Sequence, residues 1–137
     1  MSKGRSSKGK FIATDITTIA PAADADEGTE FDSVEVAVWD VFEIALQMRV
    51  TGGHANCALT VDFDIVSSLD GVTWDTVKIA TITATLNGTT AVLKTSILDV
   101  TPYNFIKLFK VTNNETVAGR TATAVNLWWG KSYGGVS

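Results

Sequence analysis

The sequence has very few of the residues from which catalytic and metal sites are built. It contains one cysteine, Cys57, and one histidine, His54. A single cysteine excludes an intramolecular disulfide, and one cysteine with one histidine falls short of the four ligands of a structural zinc site. Both residues lie in a glycine-rich turn, so we interpret them as parts of a surface turn and predict neither a metal ion nor a cofactor.

Motifs of catalysis and nucleotide binding are also absent. The sequence has no GxxxxGK[ST] phosphate-binding loop and no GxSxG nucleophile motif. Asp62 and Asp64 could meet a partner carboxylate as in a glycoside hydrolase, but their alternation with apolar residues is typical of the wet face of a half-buried strand. The acidic segment 24–32 begins like a calcium loop but lacks the later ligands. We therefore predict that the protein is not an enzyme.

The composition is that of a folded domain with an unevenly distributed charge. Charged residues make up 19% of the chain and apolar ones 45%, which is far from the signature of disorder. No run of about 18 apolar residues and no signal-peptide core is present, so we expect cytosol-like conditions. Residues 1–10 carry four cations, whereas the remainder has seven basic and fifteen acidic residues, a net charge of −8. We predict a flexible basic arm over residues 1–10 and one domain over 11–137.

Apolar and polar residues alternate with a period of two along most of the chain, which predicts β-strands. Turn residues follow these runs, and no amphipathic helix of convincing length appears. We predict an all-β, single-domain antiparallel β-sandwich of jelly-roll or immunoglobulin-like type with about eight strands. The segment 21–32 is predicted as a loop, with at most one helical turn there or near residues 97–100. The strand-like runs are 11–20, 34–38, 42–50, 58–66, 77–86, 90–100, 103–112 and 120–130.

The stretch SSLDGVTWD, residues 67–75, contains the Asp-Gly pair that favours a tight hairpin turn. A hairpin would place Val72 and Trp74 on the returning strand. We interpret Trp74 as a core residue that fixes this strand. On that interpretation, its replacement by alanine costs about 3 to 5 kcal/mol of stability.

The aromatic residues suggest a surface for interaction. Trp128 and Trp129 are adjacent on one strand, so their side chains point to opposite faces and one of them must be exposed or in an interface. A cationic arm and exposed aromatics together favour a protein partner. The residues predicted to bind a partner are Lys3, Arg5, Lys8, Lys10, Trp39, Trp128, Trp129 and Tyr133.

Three segments resemble small β-sandwich proteins of tailed-phage virions. They are SSLDGVTWDTV, LDVTPYNFIKLFKVTNN and TATAVNLWWG, and the likeness covers residues 60–130. The resemblance implies a non-enzymatic structural component, most simply a capsid decoration or cement protein. It also implies partners such as the major capsid protein or other virion proteins, a homo-oligomer with a trimer favoured, and location in the virion after synthesis in the bacterial cytoplasm.

Two other functions stay open from the sequence. The first is a carbohydrate- or receptor-binding module of a phage tail or adhesin, because rigid aromatic faces stack on sugar rings. The second is a capsid-like assembly protein whose basic arm binds nucleic acid, with an affinity that falls steeply with salt. No membrane contact is expected.

Overall fold

The structure is a computed structural model that describes residues 6–132. This part of the chain forms strands and irregular segments, and it includes no helix long and apolar enough to cross a membrane. The ten strands are β1 (Ser6–Lys10), β2 (Ile16–Ile19), β3 (Ala23–Asp26), β4 (Val36–Ala37), β5 (Glu43–Gly52), β6 (Thr60–Ser68), β7 (Ala80–Thr85), β8 (Ala91–Asp99), β9 (Phe105–Asn113) and β10 (Ala122–Ser132).

The strands form two antiparallel sheets. The first sheet has the order β1-β10-β5-β8, and β1 and β2 pair with different parts of the same edge of β10. The second sheet has the order β3-β9-β6-β7, and β3 and β4 pair with different parts of the same edge of β9. If each of these short pairs counts as one strand, eight strands face each other in the orders 1-8-3-6 and 2-7-4-5. This connectivity is that of a jelly roll. The predicted β-sandwich is confirmed, and the topology selects the jelly roll over the immunoglobulin-like type.

The hydrophobic core lies between the sheets and follows the predicted alternation. On β5 every second side chain is buried from Ile44 to Val50, while the residues between them face outward. On β6, Val61, Phe63 and Ile65 are fully buried in the same way. Burial of one face of each sheet fixes which residues point inward, since a shift of one residue would reverse every side chain.

Three apolar residues that the alternation places in the core lie outside it. Phe42 is 79% exposed and Leu59 45%, because β5 begins only at Glu43 and β6 only at Thr60. Val34 is exposed for the same reason, since it precedes the two-residue strand β4. The alternation in these positions continues past the end of the hydrogen-bonded ladder, where it no longer determines burial.

The sequence predicts a loop over residues 21–32, but β3 occupies residues 23–26 of this acidic segment, so the prediction is wrong for that part. Its Asp24 carboxylate accepts a hydrogen bond of 2.7 Å from the Thr112 hydroxyl on β9 and lies 3.7 Å from Lys110. Ala25 is buried in the core. Partners on a neighbouring strand thus stabilise an extended conformation that isolated Asp residues disfavour. The predicted helical turn near residues 97–100 is also wrong, since β8 runs to Asp99.

Strand β10 contains a bulge that changes the predicted faces. The register with β5 shifts between Thr123 and Asn126, and Ala124 has a φ of 51°. The extra residue allows both Ala122 and Val125 to enter the core. Unbroken alternation along the predicted run 120–130 would place these two residues on opposite faces, so the bulge corrects that pattern.

The first sheet begins before the predicted boundary at residue 10. Residues 6–10 form β1, which pairs along its full length with β10. Gly9 packs against the indole of Trp129, and a Cβ at this position would lie 2.9 Å from a ring carbon, so a residue without a side chain is needed for this pairing. Lys3, Arg5 and Tyr133 lie outside the described residues. The division of the chain into an arm and one domain stays a prediction.

Trp74 lies on the surface and not in the core. The turn predicted at Asp70 is present, and the Asp70 carboxylate accepts 2.8 Å hydrogen bonds from the amides of Val72 and Thr73. However, the next strand begins only at Ala80. Trp74 is half-buried on the outer face of the second sheet, where the Lys107 ammonium lies 4.6 Å from its ring centroid.

Replacing Trp74 with alanine should therefore lower the free energy of unfolding by about 1 kcal/mol, the scale of an exposed cation–π contact with partial burial. Urea denaturation of the two proteins measures the difference. A loss above about 3 kcal/mol would restore the core interpretation made from the sequence.

Candidate interaction surfaces

The outward face of the first sheet brings together residues that are far apart in sequence. The register aligns Lys10, Trp128, Gln47 and Thr95 in one row across β1, β10, β5 and β8. The next row contains Lys8, Gly130, Ala45 and Ile97, and on the other side Arg49 lies opposite Leu93. We call this surface the Trp128 face; it consists of Lys8, Lys10, Ala45, Gln47, Arg49, Leu93, Thr95, Ile97 and Trp128.

Trp128 is held in place by two cations. The Arg49 guanidinium carbon lies 4.2 Å from the ring centroid and the Lys10 ammonium 5.3 Å. Arg49 is fixed in turn, because its Nε donates a 2.8 Å hydrogen bond to Gln47 Oε1. Tryptophan and arginine are the residues most enriched at the centres of protein interfaces, and here both are ordered before a partner binds.

Charge and exposed apolar area distinguish the Trp128 face from an ordinary wet sheet surface. Leu93 is 62% exposed and Ile97 61%. The cations Lys8, Lys10 and Arg49 have no carboxylate within ion-pair distance among residues 6–132. The face thus offers an aromatic and apolar surface with three uncompensated positive charges.

A shallow cavity of about 250 Å³ lies beside Trp128. Gln47, Arg49 and Thr95 bring polar groups to it, next to the aromatic ring. This volume is below the roughly 300 to 1,000 Å³ of drug-sized pockets, but an aromatic ring with convergent polar groups suits a single sugar unit. The cavity is lined by Lys8, Ala45, Gln47, Arg49, Thr95, Trp128, Trp129 and Gly130.

Trp129 points to the other side of β10, as the sequence predicts for two adjacent residues of a strand. It packs against the hydrophobic core, and its indole Nε1 is buried without a hydrogen-bond partner. The Lys131 ammonium lies 5.9 Å from its ring centroid. Of the two tryptophans, Trp128 is therefore the one on the outward face of the sheet.

Trp39 lies in a separate place, at one end of the sandwich. Three segments meet there, and hydrogen bonds of 2.8 Å from Val38 N to Asn104 O and 3.1 Å from Asn104 Nδ2 to Leu69 O connect them. We call this surface the loop end; it consists of residues 38–43, 69–77 and 99–104. Its exposed large apolar side chains are Trp39, Phe42, Leu69, Val72 and Val77.

The loop end is acidic. Its three segments contain no lysine or arginine and have five carboxylates, those of Asp40, Glu43, Asp70, Asp75 and Asp99. Glu43 lies directly opposite Asp99 in the ladder of β5 and β8, a like-charge pair that is unfavourable without a cation.

Local hydrogen bonds keep two of these carboxylates ionised. The Thr101 hydroxyl and then the Thr101 amide lower the pKa of Asp99. The amides of Thr73 and Val72 and the hydroxyl of Ser68 lower the pKa of Asp70. The negative charge of the loop end therefore persists to lower pH than ordinary aspartates would allow.

The residues considered for catalysis have structural roles. Asp62 and Asp64 accept hydrogen bonds of 2.8 and 2.7 Å from Thr83 and Thr81 across the second sheet. Cys57 is buried in the hydrophobic core, so its interpretation as a surface residue is wrong. His54 is exposed, and its Nδ1 accepts a hydrogen bond from the Asn56 amide.

No group of three or more His, Cys, Asp or Glu side chains suited to a metal ion occurs within residues 6–132. A cavity of about 530 Å³ is lined by residues 12–18 and 30–32. In that cavity the Asp15 carboxylate accepts a hydrogen bond from the Asn126 side chain, so it is fixed structurally.

Comparison with known proteins identifies the fold and no closer relationship. No protein-family model and no curated protein matches the chain. The structure is similar to the T13 particle of infectious bursal disease virus (TM-score 0.54, 11% identity, 96% of this chain and 32% of that chain). It is also similar to the VP2 subviral particle of that virus (0.54, 14%, 98% and 34%) and to its Gx strain (0.53, 14%, 99% and 34%).

These neighbours are viral capsid proteins of an animal virus. The present chain spans about a third of their length, and at this identity the likeness shows a shared fold. The likeness gives no support to a tailed phage as the source of the chain.

Proposed function

We propose that the protein is a non-enzymatic structural component of a virion that binds other protein subunits through the Trp128 face. The observation that carries the proposal is the Trp128 ring, which Arg49 and Lys10 hold on the outward face of a jelly roll similar in fold to structures of viral particles. Such a preordered aromatic and arginine centre, flanked by the exposed Leu93 and Ile97, has the composition of a protein interface.

The mechanism requires no chemical step. A subunit that binds the assembled shell and not its separated parts stabilises the shell by mass action. Each contact can be weak, because many symmetric copies bind at once and the effective concentration within the shell is high. The flat outward face of a sheet suits this role, since it can lie against a neighbour without rearrangement of the backbone.

The finer proposal is a decoration or stabilising protein on the capsid of a tailed phage. It rests on the sequence resemblance over residues 60–130. On this proposal the partner is the major capsid protein or another virion protein, the protein itself is a homo-oligomer with a trimer favoured, and it is made in the bacterial cytoplasm.

Replacing Trp128 with alanine should weaken association at least about 30-fold, the effect of removing a residue worth 2 kcal/mol at the centre of an interface. Mass photometry of self-association and cosedimentation with emptied capsids measure this loss. Phe109→Ala is the matched control, because Phe109 also lies under a lysine, with Lys110 6.0 Å from its ring centroid, but on the other sheet and outside the loop end, and it should leave association unchanged. Equal association of the natural protein, the Trp128→Ala variant and the control variant would contradict the proposal.

Carbohydrate or receptor binding is the second candidate function, and the cavity beside Trp128 favours it. The polar groups of Gln47, Arg49 and Thr95 converge on an aromatic ring there. Tryptophan fluorescence titrated with neutral and acidic monosaccharides tests it directly. A saturable response that disappears in Trp128→Ala, together with no protein association, would replace the structural role.

Binding of nucleic acid is favoured by the same three cations. Lys8, Lys10 and Arg49 around an aromatic ring are a combination that also serves single-stranded nucleic acid. In that case, affinity for an oligonucleotide falls by about one power of salt concentration for each phosphate contacted. The absence of retained oligonucleotide at low salt would exclude this role for the face.

A further inference from the structure

We propose that the loop end of one copy docks on the Trp128 face of a second copy, so that the chain associates with itself through two different surfaces. This inference rests on the proposed function and names one partner for the Trp128 face. It would make a neighbouring copy, with or without another virion protein, the molecule that covers Trp128.

The two surfaces carry uncompensated charges of opposite sign. Lys8, Lys10 and Arg49 lack a carboxylate partner among the described residues. At the loop end only Asp40 has a cation, Lys131 at 3.2 Å, within this part of the chain. The four other carboxylates there are Glu43, Asp70, Asp75 and Asp99.

The strand register shows where a cation is most needed. Glu43 and Asp99 lie directly opposite each other on β5 and β8, although like charges in this position destabilise a sheet. A lysine or arginine from outside would remove the repulsion. The Trp128 face of a second copy supplies three such groups, which are themselves without a counter-charge.

Both surfaces also expose apolar side chains that a contact would cover. The loop end presents Trp39, 68% exposed, and Phe42. The Trp128 face presents Leu93 and Ile97 on β8, with β5 between them and the Trp128 strand. A contact with apolar groups at its centre and ion pairs around them is the usual anatomy of a protein interface.

The two surfaces cannot meet within one copy. Glu43 of the loop end and Ala45 of the Trp128 face are two residues apart on β5, in one continuous sheet. The contact must therefore join different copies, and it is heterologous, which builds a ring when the rotation closes. Nucleic acid would satisfy the cations but would be repelled by the loop end, whereas a second copy satisfies both surfaces.

A charge exchange tests the proposal. The face variant carries Lys8→Glu, Lys10→Glu and Arg49→Glu, and the end variant carries Glu43→Lys and Asp99→Lys. Each variant alone should self-associate at least about 30-fold more weakly than the natural protein, because like charges then meet at every contact. An equimolar mixture should recover association, because the acidic face of one variant then meets the basic end of the other.

Mass photometry at low salt, with one variant fluorescently labelled, measures homotypic and mixed complexes. Recovery in the mixture shows at the same time that both variants are folded. If circular dichroism shows that the triple variant does not fold, Lys8→Glu with Lys10→Glu takes its place, since both side chains are exposed.

Each other outcome overturns the proposal in a distinct way. Loss in both folded variants without recovery in the mixture, or unchanged self-association of either one, would show that the two surfaces do not meet. Loss of oligonucleotide retention by the face variant alone would assign the face to nucleic acid. A natural protein that is monomeric but still binds capsids would overturn self-docking only, whereas failure to bind capsids as well would overturn the proposed function.

Discussion

Replacement of Glu115 by alanine should lower the free energy of unfolding by about 3 to 5 kcal/mol, the cost of breaking a buried charged network. Glu115 is completely buried between β9 and β10. Its Oε2 accepts hydrogen bonds of 2.8 and 2.6 Å from the amides of Ala58 and Leu59, and its Oε1 lies 3.8 Å from Arg120. Alanine would leave two amides without their acceptor and the Arg120 guanidinium without its ion-pair partner.

The loss should be specific to the carboxylate and its position. Glu115→Gln retains one acceptor oxygen, so we expect a smaller loss of about 1 to 3 kcal/mol. Glu35→Ala removes an exposed glutamate and should change stability by less than about 0.5 kcal/mol. Urea denaturation followed by tryptophan fluorescence gives all three values. A midpoint for Glu115→Ala equal to that of Glu35→Ala would contradict the role of Glu115 in joining these loops.

Replacement of Gly52 by alanine should cost about 3 kcal/mol, at the upper end of overpacking in a tight core. Gly52 ends β5 at the end of the sandwich opposite the loop end. A Cβ there would collide with the backbone oxygen of Gly88 and would lie 2.8 Å from Cys57 Cβ. Backbone cannot move aside as a flexible side chain can, so the loops of residues 53–59 and 86–90 would have to separate.

Gly130→Ala is the matched control, because Gly130 is also a strand glycine and a Cβ there has no neighbour within 4 Å. It should leave stability unchanged or raise it slightly, since alanine restricts the unfolded chain. Thermal unfolding of both variants distinguishes the two sites. Similar unfolding temperatures for Gly52→Ala and Gly130→Ala would show that the close backbone approach is not required.

The strands could be predicted from the sequence where the period of two was clear, and not where pairing decides the conformation. The runs that became β5, β6 and β9 alternate cleanly because one face of each is buried. Strand β3 has no such signal, since its aspartates favour turns until Thr112 and Lys110 bind them across the sheet. The bulge at Ala124 is also a property of two paired strands and left no mark in the sequence.

The candidate site could be predicted only in part for the same reason. Lys8, Lys10 and Trp128 were identified by type, as basic residues and an exposed aromatic, and the sheet brings them together. The sequence prediction does not include Arg49, because the alternation along residues 42–50 shows only that its side chain faces outward. Its place over Trp128 depends on the register between β5 and β10, which single strands do not reveal.

The most direct test of the account is an electron cryomicroscopy map of the assembled particle that contains this protein. We expect density of a neighbouring protein subunit over the Trp128 ring, in contact with Arg49 and Lys10. A Trp128 face that is open to solvent in every copy, or covered only by nucleic acid, would contradict it.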